Sequence, residues 1–165
     1  MTKKLTILLL SCGLFSCRQP VDNSAQLQSQ INDLQKQLAN TYRPGFGDLM
    51  SSIQIHHNKL FFAGENKNWE LADFEVHEIL EALEDLPKFC ADREEIKSLP
   101  MIQPAIDSIN NAIKQKNYTL FKSSYGLLTN TCNNCHRATN FGFNVVKIPD
   151  NPPFSNQDFK VNEPK

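Results

Sequence analysis

Apolar residues recur along this chain at steps of three and four, with no convincing alternation of period two, so the pattern predicts helices throughout. From Ser24 to Asn40, Leu27, Ile31, Leu34 and Leu38 follow at four, three and four, with Gln, Asp and Lys between them. That is a two-heptad amphipathic helix, ended by Arg43-Pro44-Gly45. Two heptads are too short to hold a coiled coil unaided, so the helix is expected to lie on the rest of the protein or form a weak homo-oligomer seam rather than a dimerisation stalk. A second helix is predicted from Phe46 to about Ala63, closed by Gly64. At about 100° per residue, Phe46, Leu49, Met50, Ile53, His57, Leu60 and Phe61 share one arc of it, with His56 at the edge. A third runs from Trp69, with Asn68 as N-cap, to about Leu86, where Pro87 stops it. Trp69, Ala72, Val76, Ile79, Leu83 and Leu86 form its stripe, His77 points outward, and Glu75 falls on the border, where a carboxylate needs a partner.

Residues 89–100 are polar and read as a connection, with Cys90 packed as a small hydrophobe. A fourth helix is predicted from Met101 to about Lys116, with Pro104 in its first turn. The fifth starts near Asn117 and ends near Thr139 or Asn140. The expected fold is all-α: an antiparallel four-helix bundle over residues 45–140, preceded by the short amphipathic helix within 17–44. Beyond it, Phe141, Phe143, Val145, Val146 and Ile148 followed by Pro149, Pro152 and Pro153 predict an extended C-terminal tail over 141–165, folded back on the bundle.

The fifth helix carries Cys132-Asn133-Asn134-Cys135-His136, and CxxCH is the spacing through which haem c is attached. Two thiols three residues apart on one turn can each add to a porphyrin vinyl group, and the next histidine then lies under the iron. Cys132 and Cys135 are therefore expected to form thioethers and His136 to be the proximal iron ligand, with one haem per chain. A redox dithiol or half a zinc site fits the same cysteines less well. The first belongs after a strand in an α/β pattern, and the second needs another cysteine or histidine pair.

The other cysteines favour the same reading. Met1-Thr2-Lys3-Lys4 followed by the apolar run from Leu5 and ending at Leu14-Phe15-Ser16-Cys17 reads as a signal peptide over residues 1–16, too short to span a membrane. Leu-Phe-Ser-Cys also resembles the bacterial lipoprotein box, which implies a lipid on Cys17 and loss of Cys12. Cys90 is then left without an internal disulfide partner. Losing Lys3 and Lys4 takes the formal charge from −1 to −3, a mildly acidic balance that argues against nucleic acid as partner. The expected location is the bacterial cell envelope, on a lipoprotein facing the periplasm.

The occupant of the sixth iron position is left open between Met50 and His57, two turns apart on one face of the second helix and about 10 Å apart along its axis. His57 could instead bond Glu75 or a haem propionate, and Met50 could simply pack. His56 and Met101 are lesser candidates. Four helices with CxxCH near the end of the last resemble the cytochrome c-prime family over roughly Phe46 to Asn140. That resemblance implies haem inside the bundle against the first core helix, and a sixth site that is open in the family proper and filled by methionine in low-spin relatives. Two further stretches, Ile53 to Gly64 with Asn68-Trp69-Glu70-Leu71-Ala72, and Pro153-Phe154-Ser155-Asn156-Gln157, resemble a little-characterised group of bacterial cytochrome-like proteins, from which no activity transfers.

The chain is therefore expected to be no enzyme but a membrane-tethered electron carrier, serving redox partners of the envelope. The alternative is a five-coordinate haem protein that binds nitric oxide or another small gas. A third reading is a structural lipoprotein whose CxxCH is unoccupied or binds another metal.

Overall fold

The computed structural model describes residues 23–39 and 41–161; the expected signal peptide and Cys17 lie outside these. The described chain is all-α with no strand. It divides into two units, Met1–Tyr42 and Arg43–Lys165. The first unit contributes α1, Ser24–Ala39, whose Leu27, Ile31, Leu34 and Leu38 are all exposed. The second contributes α2 (Phe46–Glu65), α3 (Trp69–Phe89), a 3-10 segment (Glu94–Ile102), α4 (Gln103–Lys114) and α5 (Tyr118–Ala138). No described helix is long and apolar enough to cross a membrane.

The two helical hairpins of the second unit are closed by one device used twice. After α2, Lys67 adopts φ 55°, its N–H donates to the Gly64 carbonyl, and the Asn68 N–H donates to that of Ala63. After α4, Lys116 adopts φ 51°, with Lys116 bonded to Ile113 and Asn117 to Ala112. Both are Schellman closures, which satisfy the last carbonyls of a helix. The asparagine then caps the following helix: Asn68 Oδ1 accepts from Leu71 N at 3.2 Å and Asn117 Oδ1 from Leu120 N at 3.0 Å. The repeat is visible in sequence as Lys67-Asn68-Trp69-Glu70-Leu71 and Lys116-Asn117-Tyr118-Thr119-Leu120. A third closure, with Asn140 at φ 66° and Phe141 N bonded to the His136 carbonyl at 2.7 Å, ends α5.

Leu49, Ile53, Leu60, Val76, Ile79, Leu86, Ile106, Ile109, Phe121, Tyr125 and Leu128 fill one core shared by α2–α5. Three expectations need correcting. Gly64 does not stop α2: the helix continues to Glu65, and the left-handed residue is Lys67. Gly64 is instead where α2 meets the Phe121 ring, since a Cβ there would stand 2.0 Å from its Cε1. Pro87 does not stop α3 either, which runs to Phe89; in a last turn the missing N–H costs one hydrogen bond and leaves the remainder intact. The polar connection contains the 3-10 segment, which takes in Met101, so α4 starts at Gln103 with Pro104 in its first turn.

Gly64→Ala is expected to lose about 2 kcal/mol, because overpacking a fully buried ring outweighs the gain in helix propensity. A lower urea midpoint at unchanged slope is the check. Cys90 packs as expected, 6% exposed with Sγ 3.8 Å from the Pro44 carbonyl.

Candidate functional site

Tyr125, Thr129, Cys132 and His136 follow at four, three and four along α5, which places them on one face of the helix. The lower part of that face is closed by His57 of α2. Thr129 Oγ1 lies 3.0 Å from His57 Nε2 and also 3.0 Å from the Tyr125 carbonyl. The Tyr125 hydroxyl lies 2.9 Å from Nδ1, so the neutral ring donates from one nitrogen and accepts at the other. That hydroxyl also lies 2.9 Å from the His57 carbonyl, and the two rings sit 4.6 Å apart. With only 4% of the residue exposed and no anion against the ring, burial lowers the His57 pKa to about 4. His57 is thus a neutral imidazole with both nitrogens engaged.

Its expected alternative partner, Glu75, belongs to the neighbouring histidine. His56 Nδ1 meets Glu75 Oε2 at 2.7 Å and Lys59 Nζ stands 4.0 Å from Oε1. Glu75 is completely buried, inside the α3 stripe rather than on its border, because α2 brings His56 and Lys59 onto its carboxylate. His77 faces solvent, as the wheel predicts.

Above His57 the α5 face opens into a cavity of about 310 Å³. Met50, Ile53, Gln54 and His57 line it from α2, Leu83 from α3, and Leu99 and Ile102 from the 3-10 segment. Cys132, Cys135 and His136 line it from α5. A second cavity of about 260 Å³ shares Gly47, Met50, Leu99, Cys135, His136 and Asn144, and reaches Phe46, Arg93 and Phe141. All five residues singled out from sequence for this site therefore meet in one space, and Met50 borders both cavities. Met101 and His56 line neither.

Burial raises both thiols, Cys132 to about 11 with a further contribution from Cys135, so both are protonated at neutral pH. That is the opposite of the lowered thiol a redox dithiol requires. No three His, Cys, Asp or Glu side chains among the described residues are grouped to hold a metal ion. His136 Nδ1 lies 2.6 Å from the carbonyl of Asn144, which can only accept. Nδ1 is therefore protonated, and Nε2 keeps a free lone pair, the state in which an imidazole can bind a metal.

Sequence reasoning missed Tyr125, Thr129, Asn133 and Asn144. The first two had a signal, their regular spacing from Cys132. Asn133 stands inside the motif, where the intervening positions carry no chemical requirement. Comparison with known proteins adds nothing here, for no protein family, curated protein or solved structure matches this chain.

Proposed function

We propose that this chain is a single-haem c-type cytochrome that carries electrons in the bacterial cell envelope. The observation that supports it most is the convergence of Cys132, Cys135 and the free Nε2 side of His136 on an apolar cavity also bordered by Met50. A planar, largely apolar cofactor suits those mostly apolar walls better than a bare ion, for which no three His, Cys, Asp or Glu side chains among the described residues are grouped. The cysteines would anchor haem c covalently, His136 would be its proximal ligand and Met50 its sixth. His57, bonded to Tyr125 and Thr129, would brace the cavity floor.

Haem supplies a one-electron ferrous/ferric couple. The chain's part would be to hold the cofactor through Cys132, Cys135, His136 and Met50 and to exclude water with Ile53, Leu83, Leu99 and Ile102. In this reading α2–α5 are an antiparallel four-helix bundle of the cytochrome c-prime type, and a lipid on Cys17 holds the protein near membrane donors and acceptors. No nucleic acid is involved, and the role is that of a carrier rather than a catalyst.

The test is maturation of the exported chain with a c-type haem attachment system. Haem that stays on the polypeptide through denaturation, and is lost in Cys132→Ser or Cys135→Ser, is the expected result. A chain that emerges without covalent haem sinks the proposal. A parent protein that is high-spin and takes up nitric oxide would mark it as a gas-binding protein instead.

A further inference from the structure

The tail leaves α5 at Asn140 and returns along the motif as a strap, and the motif itself holds that strap down. Asn133, the first residue between the two cysteines, clamps Val146 at both ends: Nδ2 donates to the Val146 carbonyl at 2.8 Å, and the Val146 N–H donates to Oδ1 at 2.8 Å. Asn144, two residues earlier, turns its N–H to the Phe141 carbonyl at 2.8 Å and its own carbonyl to His136 Nδ1 at 2.6 Å. Val146 N lies only one residue beyond the Asn144 carbonyl along the chain, so a clamp on Val146 at both its N–H and its carbonyl restricts where the Asn144 carbonyl can point. Asn144 and Val146 both line the cavity, whereas Phe143 and Val145 are 82% and 67% exposed.

We infer that Asn133 is a positioning residue which, through the strap, holds the Asn144 carbonyl on His136 and so fixes both the tautomer and the donor strength of that imidazole. A free histidine prefers its proton on Nε2; here a carbonyl acceptor held in place forces it to Nδ1. When His136 binds iron, donation from Nδ1–H to a backbone carbonyl makes the ring a stronger base and favours the ferric state, which lowers the reduction potential. A water molecule in place of the carbonyl would do this less well. The electrochemical part rests on the haem reading; the tautomer does not.

Asn133→Ala suits the test because alanine is the better helix former at this partly exposed position, so α5 is expected to survive. Heteronuclear NMR of the ring nitrogens in the neutral, haem-free chain should show Nδ1–H in the parent and mainly Nε2–H in the variant. In the matured protein the midpoint potential should move upward. Val146→Pro attacks the other end of the clamp by deleting the N–H that Oδ1 accepts, with α5 untouched, and should shift both readouts the same way. Acting through one clamp, the double variant should shift no further than the larger single one. Failure of the parent to attach haem would sink the cytochrome proposal while leaving the tautomer measurement to judge Asn133. An unchanged Nδ1–H tautomer in both variants, or a potential that does not move in haem-loaded Asn133→Ala, would overturn the inference.

Discussion

Met50→Ala protein matured with haem is expected to have a high-spin ferric spectrum and to bind nitric oxide or carbon monoxide, whereas the parent should be low-spin and indifferent to both. Sequence places Met50 and His57 on one face of α2, two turns apart, so a single iron can use only one of them. The hydrogen bonds separate them. His57 Nε2 is bonded to Thr129 and Nδ1 to Tyr125, so ligation through either nitrogen would break that nitrogen's bond and take a partner from a buried hydroxyl. A thioether has no such obligations, and Met50 borders both cavities beside Cys135 and His136. Removing it opens the sixth site and leaves the space of the side chain for a small ligand. His57→Gln, which keeps a donor and an acceptor near Thr129 and Tyr125, is expected to stay low-spin. The reverse pattern would give the iron to His57, and two low-spin variants would exclude both residues.

Much of this site was legible in the sequence because its members are either contiguous or helically spaced. CxxCH is local, and the periodic apolar arc of α2 carried Met50 and His57 toward the core together. What could not be read were polar choices made between elements. Sequence placed His57 in the apolar arc of α2 and His56 at its edge but could not name their partners: His57 went to α5 and His56 to Glu75 of α3, because a rotation of about 100° per residue points neighbours at different helices. Glu75 looked like a border residue since its burial depends on partners from another helix, His56 and Lys59. Gly64 read as a terminator because the ordinary use of glycine there is a left-handed turn, while in this protein two lysines, Lys67 and Lys116, take that conformation. The strap was visible only as an extended tail. Its function depends on Asn133 and Val146, 13 residues apart with a helix end between them, for which no sequence period exists.

The folded chain without haem should lose about 3 kcal/mol as the pH falls from 6.5 to 4, through His57 alone. In the unfolded chain this histidine takes a proton near 6.5; in the folded chain burial delays that to about 4. Between those values the unfolded state binds more protons, so stability rises with pH across the window. The contribution is complete above 6.5, declines through the interval and is gone below about 4. Its size follows from the shift at about 1.4 kcal/mol per pH unit. Carboxylates also titrate in this range, so the informative quantity is the difference between the parent and His57→Gln in urea unfolding at pH values above, within and below the window. The glutamine variant pays a fixed cost for imperfect bonding to Tyr125 and Thr129 but has no proton to refuse. The parent's advantage should therefore be largest at neutral pH and shrink as the medium is acidified. A gap that stays constant through the window would mean that His57 is not held neutral by burial, and the argument that its ring is fully committed to α5 would fall with it.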